Sequence, residues 1–195
     1  VWAERQIDRS FAISRGLFDL YTGLKICKKE QLDHIPYGFH WKDTDIHPEP
    51  SLRQGHPQLC IVGRLTAFKG HRYAFHALQK LKTRYPSIRL IVVGWGELEE
   101  ALKTLADELG ITHHVAFTGR QTNPRSHMAS ADIVLVPSVA EGFGIVLLEA
   151  MSVRKPIVAF NVPSPNEILS DGCGVLVSPF DTGQYAEAIV NLLER

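Results

Sequence analysis

From residue 58 onward, short runs of branched aliphatic residues alternate with longer amphipathic segments. The runs QLCIVG, IRLIVVG, HHVAFTG, ADIVLVP, KPIVAF and CGVLVS are typical of buried strands. Between or after them, HRYAFHALQKLKTRYP, ELEEALKTLADELG, GIVLLEAMS and GQYAEAIVNLLER space their apolar residues as helices do. This alternation predicts an α/β fold with a Rossmann-like, doubly wound parallel sheet.

The first 57 residues follow a different pattern. IDRSFAIS and EQLDHIP predict two strands, and RGLFDLYTGL predicts a helix between them. The stretch YGFHWKDTDIHPEPSLRQGHPQ then has three prolines and no hydrophobic period, which is typical of a linker. We therefore predict three parts: residues 1–40 as the tail of a different, incomplete domain, 41–57 as a linker, and 58–195 as the domain that contains the sheet.

Charge and hydropathy narrow the classes of partner. Lysine plus arginine and aspartate plus glutamate each number 21, so the net charge is zero and no overall field favours nucleic acid or an anionic surface. Any anion site must be local. No apolar run approaches the roughly 18 residues that cross a bilayer, so the sequence predicts no transmembrane segment.

The cysteines and the first residues bear on the compartment. Cys27, Cys60 and Cys173 are far apart and lack metal-ligand spacing, which favours a reducing, cytoplasmic location. The segment VWAERQIDRS lacks the hydrophobic core of a signal peptide. Because the chain starts at Val1, we interpret it as a piece of a longer protein.

Doubly wound sheets bind ligands at the carboxyl ends of their strands, so the loops that start at Gly63, Gly94, Gly119, Pro137 and Phe160 are the candidate sites. In GRLTAFKGH, Arg64 and Lys69 stand between a strand and a helix start, where free N–H groups and the helix dipole favour anions. A diphosphate is the predicted guest. The loop is not a Walker motif, and a solvated basic loop is the alternative interpretation.

Two glycine-containing turns follow the next two strands. GWGELEE contains Gly94 and Gly96 without the third glycine of a dinucleotide fingerprint. In TGRQTNP, Gly119 permits close approach of backbone to a flat ligand such as a base. A plain strand-to-helix turn explains either segment equally well.

The stretch PSVAEGFGIVLLEAM carries two acids eight positions apart. Glu141 lies in a loop with Gly142 and Gly144, beside the free amides of a helix predicted to start near Ile145. Glu149 stands among apolar neighbours, and a carboxylate is seldom buried without a partner. Paired sugar hydroxyls would supply that partner. The alternative is an amphipathic helix with Glu149 on its wet face.

Two other patterns suggest metal chemistry only weakly. The DTD at residues 43–45 matches a divalent-metal motif but falls in the linker, with no strand to fix it. The nine histidines show no ligand pattern such as HExxH. We therefore predict no metal site.

Taken together, these motifs resemble the carboxyl-terminal, donor-binding domain of retaining glycosyltransferases of family 4, also called group 1, which have the GT-B fold. The resemblance covers residues 58–195 through GRLTAFKG, VVGWGELEE, VAFTGR, SADIVLVPS, EGFGIVLLEAM, PIVAF and NEILSDGCGVLVSP. Upstream, DRSFAISRGLFDLY and IPYGFHWKDTD look like the segments that close the amino-terminal domain of that family. The resemblance thus implies that the chain is the carboxyl-terminal half of a GT-B fold with a remnant of the amino-terminal domain.

The resemblance implies roles for named residues. Arg64 and Lys69 would hold the donor pyrophosphate and neutralise the leaving group, and Glu141 would lie near the transferred sugar. Glu149 would accept hydrogen bonds from the ribose, and the loop at Gly119 and Arg120 would frame the base. The implied donor-binding set is Gly63, Gly94, Gly119, Arg120, Gly142, Phe143, Gly144, Ile145 and Glu149.

The implied substrate is a UDP-, GDP- or ADP-sugar, used without a cofactor or metal. The acceptor stays open among glycans, lipid-linked molecules and small molecules, as does peripheral attachment of the full-length protein to a membrane. Because acceptor contacts come from the amino-terminal domain in such enzymes, we expect this chain alone to bind donor without turning it over. The alternatives are a nucleotide-sugar 2-epimerase of the same fold and a noncatalytic binding domain.

The sequence departs from the family pattern in two places. Arg154 stands where the family commonly has glycine, and Pro163 and Ser164 replace a Gly-Gly pair. We expect the first change to affect only a helix end. The second removes flexible backbone near the expected phosphate or sugar site, so it bears on the identity of the donor.

Overall fold

A computed structural model describes residues 8–38 and 46–195 of the chain. The first segment contains β1 (Ser10–Ala12), α1 (Arg15–Gly23) and β2 (Leu32–His34), and the two strands pair in parallel in a sheet of their own. Both strands and the helix lie where the sequence predicted them. A single turn of 3-10 helix, Pro50–Leu52, precedes the larger sheet.

The larger sheet has six parallel strands, all at predicted positions. They are β3 (Gln58–Val62), β4 (Arg89–Val93), β5 (Val115–Gly119), β6 (Ile133–Val136), β7 (Ile157–Phe160) and β8 (Val175–Val177). Their order is β5-β4-β3-β6-β7-β8, so the chain reverses its direction of winding between β3 and β6. This is the predicted doubly wound, Rossmann-like sheet, and its switch point lies between the loops that follow β3 and β6.

Six helices connect or follow these strands: α2 (His71–Leu81), α3 (Glu99–Glu108), α4 (Pro124–Ala129), α5 (Ile145–Ser152), α6 (Pro163–Leu169) and α7 (Thr182–Leu193). The sequence pattern predicted α2, α3, α5 and α7. It missed α4 and α6, because six or seven residues are too few to display a helical period. Both missed helices have proline in their first turn, where the absent N–H costs nothing.

The core lies in two layers, one on each face of the sheet. Alternate residues of β3 separate to the two sides: Leu59 and Ile61 pack with α2, α3 and α7, whereas Cys60 packs with α4, α5 and α6. Since side chains of a strand alternate between faces and both faces are covered by helices, the strands are mostly apolar. The loops that follow the strands lie at the carboxyl edge of the sheet.

The segment that leads into β3 is anchored at the opposite, amino edge of the sheet. Asp132 accepts hydrogen bonds from the Arg53 guanidinium at 2.7 and 2.8 Å and from the Gln58 amide at 2.7 Å. Burial alone would raise the pKa of Asp132, but the hydrogen bonds and the charge of Arg53 outweigh it and lower that pKa. This contact fixes where the chain enters β3.

One departure from the family pattern has a local explanation. Arg154 lies just past the end of α5 with φ of 55°. This is the left-handed conformation that glycine adopts freely and other residues adopt at a cost. Arg154 therefore lies at a helix end, and the effect of arginine rather than glycine there stays a prediction.

No helix in the described part of the chain is both long enough and apolar enough to cross a membrane.

Candidate functional site

An ion pair joins the two loops that flank the switch point. Lys69 ends a 3-10 turn after β3, and its Nζ lies 2.6 Å from Oε1 of Glu141, in the loop after β6. The Glu141 side chain is 7% exposed and that of Lys69 is 28% exposed. Two of the predicted catalytic residues, 72 positions apart in sequence, are therefore brought into direct contact. Glu141 is the deeply buried acid of the motif.

The contact between these loops depends on a glycine. Gly70 follows Lys69 with φ of 67°, and a Cβ built there would lie 1.9 Å from the carbonyl oxygen of Pro137. Lys69 itself passes over Gly63, since a Cβ at Gly63 would meet the Lys69 stem at 3.5 Å. The loops after β3 and β6 are thus packed backbone against backbone, with the ammonium group above them.

The helices that start at this edge present free backbone donors. Gly70 is the N-cap of α2 and Gly144 the N-cap of α5, and neither supplies a side-chain cap. The amides of Gly142, Phe143 and Gly144 donate no hydrogen bond to another residue in 8–38 or 46–195. Unpaired N–H groups at helix starts favour an anion, so the arrangement suits a phosphate beside Lys69.

A tryptophan between two arginines forms the other half of the site. The guanidinium of Arg64 lies 5.2 Å from the ring centroid of Trp95, and that of Arg120 lies 5.7 Å from it. These residues line a cavity of about 170 Å³, together with Val62, Gly63, Val93, Gly94, Gln121 and Pro124. Gly63 contacts Lys69 and lines this cavity, so the cavity adjoins the ion pair. A flat ring would suit a cavity lined by the planar side-chain groups of Trp95, Arg64 and Arg120.

Gly94 and Gly96 have a packing role that the sequence left open. A Cβ on Gly94 would lie 1.8 Å from the Gly63 carbonyl oxygen, and one on Gly96 would lie 2.5 Å from that of Leu65. The loops after β3 and β4 therefore require glycine for their own contact. Gly119, with φ of 66°, has no atom within 4 Å of a built Cβ and lies in open space.

Glu149 lies on α5 and is half-buried. It is neither buried among apolar neighbours nor fully exposed on a solvent-facing side of the helix, the two positions that the sequence suggested. Burial raises the pKa of its carboxyl group, and the charge of Arg125 on α4 opposes that rise. Ile145, the first residue of α5, is 39% exposed. The sequence gave no sign of Arg125, because it lies on a helix too short to be recognised.

Pro163 and Ser164 lie beside the loop that carries Glu141. Pro163 starts α6, and the Ser164 hydroxyl lies 2.9 Å from the Glu141 carbonyl oxygen and 3.0 Å from that of Gly142. The Ser164 side chain thus bonds to the loop that carries Glu141, and the loss of flexible backbone stays a prediction.

In the described part of the chain, no three His, Cys, Asp or Glu side chains are grouped closely enough to hold a metal ion. The DTD at residues 43–45 lies outside the described residues. A cavity of about 570 Å³ lies between α2 and α7, away from every predicted site residue.

His71, the first residue of α2, is an unexpected feature beside the ion pair. Its side chain is 2% exposed, and neither ring nitrogen has a hydrogen-bond partner among the described residues. Burial, with a smaller effect from Lys69, lowers its pKa to about 4. The imidazole is therefore neutral at physiological pH.

Because this imidazole is buried and neutral, we expect the protein to lose stability in mild acid. The unfolded chain takes up a proton near pH 6.5 and the folded chain only near pH 4, so stability falls as the pH drops between these values. At pH 5, His71 should make the free energy of unfolding about 2 kcal/mol lower than at pH 7.5. Urea unfolding at both pH values should show this loss, and His71→Met should remove most of it.

The control is the exposed His113, whose replacement by methionine should leave the loss unchanged. An equal pH dependence in His71→Met and the unsubstituted chain would contradict the assignment.

Comparison with known proteins agrees with this geometry. The family model described as "Glycosyl transferases group 1" matches residues 42–195. The chain therefore belongs to the group 1 glycosyltransferase family, and its fold is the Rossmann-like half of the GT-B fold found in its structural neighbours.

Curated relatives carry transferase names. The chain is 33% identical to an alpha-D-kanosaminyltransferase of Streptomyces kanamyceticus, over 99% of this chain and 54% of the relative. It is 32% identical to a GDP-mannose-dependent alpha-(1-6)-phosphatidylinositol monomannoside mannosyltransferase of Mycolicibacterium smegmatis, over 83% of this chain and 47% of the relative. The chain thus spans about half the length of these relatives.

Among solved structures, Alr3699/HepE of Anabaena in complex with UDP-glucose matches with a TM-score of 0.81 and 27% identity, covering 98% of this chain and 54% of that one. The glycosyltransferase WaaG matches with a TM-score of 0.84 at 23% identity, covering 98% and 57%. The second likeness concerns the fold alone.

Proposed function

We propose that residues 58–195 form the donor-binding domain of a glycosyltransferase that takes a nucleoside-diphosphate sugar. The observation that carries the proposal is the Lys69–Glu141 pair at the switch point, 2.6 Å long, followed directly in the chain by loop amides that donate to no other described residue. A cation and free N–H groups suit the diphosphate, and the adjoining cavity suits a base. The UDP and UDP-glucose complexes of a structural neighbour support this ligand class.

In the proposed mechanism, the barrier falls because charge that develops on the leaving diphosphate meets fixed cations and dipoles. Lys69 and Arg64 supply the positive charge, and the amides of Phe143 and Gly144 donate hydrogen bonds. These groups neutralise the leaving group without a metal ion. Glu141 would face the transferred sugar, where it also holds Lys69 in position.

The ribose and the base of the nucleoside would each have their own binding site. Glu149 would accept hydrogen bonds from the ribose hydroxyls, which would compensate the cost of its partial burial. The base would enter the cavity of about 170 Å³ beside Gly119 and Arg120. Trp95, which lies between Arg64 and Arg120, would form one wall of that cavity.

We propose that transfer occurs with retention of configuration at the anomeric carbon. The support is the α linkage in the names of two relatives, because common donors such as GDP-mannose already carry their sugar in α linkage. An α product from such a donor keeps the configuration.

The residues before the linker would belong to the acceptor half of the enzyme. Several apolar side chains of this segment are exposed, as expected for a surface that packs on further protein: Phe11, Leu20, Leu24, Ile26, Ile35 and Tyr37. We therefore propose that residues 1–40 belong to an amino-terminal acceptor domain and 41–57 to a linker. The acceptor would contact that domain, so the chain alone should bind donor without turnover.

The proposal is tested by calorimetric titration of the chain with UDP, GDP and ADP, each alone and as its glucose or mannose conjugate. We expect one nucleoside diphosphate to bind, and we expect Glu149→Ala to weaken it by at least about tenfold, or ~1.4 kcal/mol. The loss follows from removing the charge-assisted hydrogen bonds to the ribose.

The matched control is Glu108→Ala, which truncates an exposed glutamate at the end of α3 and should leave affinity unchanged. A folded chain that binds none of these nucleotides would contradict the proposal and favour a noncatalytic role.

A further inference from the structure

Two buried serine hydroxyls meet beneath the loop that carries Glu141. Ser14 is the N-cap of α1, and Ser164 is the second residue of α6. Each is 1% exposed, and their Oγ atoms lie 3.4 Å apart although the residues are 150 positions apart in the chain. Buried hydroxyls need hydrogen-bond partners, and these two find them in the backbone of the loop.

The serines fix two successive carbonyl groups. Ser14 donates to the Gly142 carbonyl oxygen at 2.6 Å and accepts from the Leu17 amide at 3.2 Å. Ser164 shares its single proton between the carbonyl oxygens of Glu141 and Gly142, at 2.9 and 3.0 Å. Both oxygens are thereby turned toward the protein interior.

The geometry of the peptide bond then fixes the direction in which the neighbouring amides point. In a planar trans peptide, the N–H points opposite to the C=O of the preceding residue. When the carbonyls of Glu141 and Gly142 point at the serines, the amides of Gly142 and Phe143 must point away from them. These are amides that donate to no other described residue.

Ser14 is held in place because the segment around it is docked on α6 and on the loop. The Arg15 amide donates to Glu167 at 2.8 Å, and the rings of Tyr37 and Phe143 lie 5.8 Å apart. A Cβ built on Gly16 would lie 2.5 Å from the Pro163 Cβ. The first segment therefore supports one side of the loop, and α6 supports the other.

We infer that Ser14 and Ser164 are positioning residues that aim the Gly142 and Phe143 amides at the diphosphate and sugar of the donor. This inference rests on the proposed function. It adds that the donor site is completed by a residue from the first segment, outside the sheet domain. The serines act through the loop and touch no substrate themselves.

The first test measures how loosely the loop is held. Hydrogen–deuterium exchange is followed at the Val139 and Leu147 amides, which are bonded to the carbonyl oxygens of Phe68 and Gly144 at the two ends of the loop. It should be faster in Ser14→Ala and in Ser164→Ala than in the unsubstituted chain, in buffer without nucleotide. Ser130→Ala is the matched control: this serine is 2% exposed and also bonded to backbone carbonyls, but it lies at the amino edge of the sheet. Unchanged exchange in both loop variants would overturn the inference, whether or not nucleotide binds.

The second test measures the share of affinity that depends on the loop. UDP is compared with UDP-glucose, and GDP with GDP-mannose, by calorimetry. Because the ribose and base contacts lie elsewhere, loss of either hydroxyl should weaken the sugar conjugate by about tenfold, the combined effect of weakened hydrogen bonds to its sugar and its phosphates. Binding of the free nucleoside diphosphate should fall less.

The outcomes separate the inference from the proposed function. If the unsubstituted chain binds no nucleotide, the proposed function fails while the exchange result still decides the positioning of the loop. If it binds but both alanine variants bind the sugar conjugate as tightly as the unsubstituted chain does, the inference fails alone. Ser14→Thr, which retains the hydroxyl, should restore the preference, and melting curves should show that each variant is folded.

Discussion

Replacing Lys69 by methionine is expected to lower the free energy of unfolding by about 3 kcal/mol, because it leaves the Glu141 carboxylate buried without its partner. Methionine preserves the apolar stem that passes over Gly63 and removes only the ammonium. The Glu141 side chain is 7% exposed, so water compensates little of the lost charge interaction. Urea unfolding at pH 7.5 measures the change.

A second substitution separates stability from binding. Glu141→Gln in the Lys69→Met background removes the orphaned charge, so most of the lost stability should return. Nucleoside-diphosphate affinity should not return, because the cation that faces the phosphates is still absent. A double variant as unstable as the single one would mean that Lys69 stabilises the fold by packing, and recovered affinity would remove Lys69 from the phosphate site.

Gly70→Ala is expected to lower the free energy of unfolding by more than about 4 kcal/mol or to prevent folding, an exceptionally large loss for a single substitution. A Cβ at this position would lie 1.9 Å from the Pro137 carbonyl oxygen. Relief of that overlap would separate the loops after β3 and β6. The pair formed by Lys69 and Glu141 would then be broken as well. Denaturant unfolding and far-ultraviolet circular dichroism measure the effect.

Gly172→Ala is the matched control for this clash. Gly172 has φ of 76°, close to the 67° of Gly70, but no atom lies within 4 Å of a Cβ built there. Gly172→Ala should lower the free energy of unfolding only by the strain of a left-handed backbone, about 1–2 kcal/mol. The difference between the two variants therefore measures the close approach of the loops. Equal costs would show that the loops do not abut at Gly70.

Local pattern was enough to predict the strands and the longer helices. The four central strands of the large sheet are buried on both faces, so their apolar runs stand out in the sequence. α2 and α7 are long enough to display a helical period. The parallel arrangement then places every strand's carboxyl end on one edge, and this predicted the neighbourhood of Lys69 and Glu141 before any distance was known.

Other features depended on contacts between distant parts of the chain. The sequence singled out Glu149 as the buried acid because its immediate neighbours are apolar. The structure buries Glu141 more deeply and leaves Glu149 half-buried beside Arg125. Burial of a loop residue is decided by what folds over it, and that information lies many positions away.

The sequence by itself determined the order of the strands and longer helices and the edge of the sheet that carries the site. These follow from local periodicity and backbone sterics, which depend on a few neighbouring residues. Only the tertiary structure decided that Trp95 lies between Arg64 and Arg120, and that Ser14 and Ser164 share the loop of Glu141. Such contacts arise when segments far apart in the chain are brought together by packing, and no local pattern encodes the pairing.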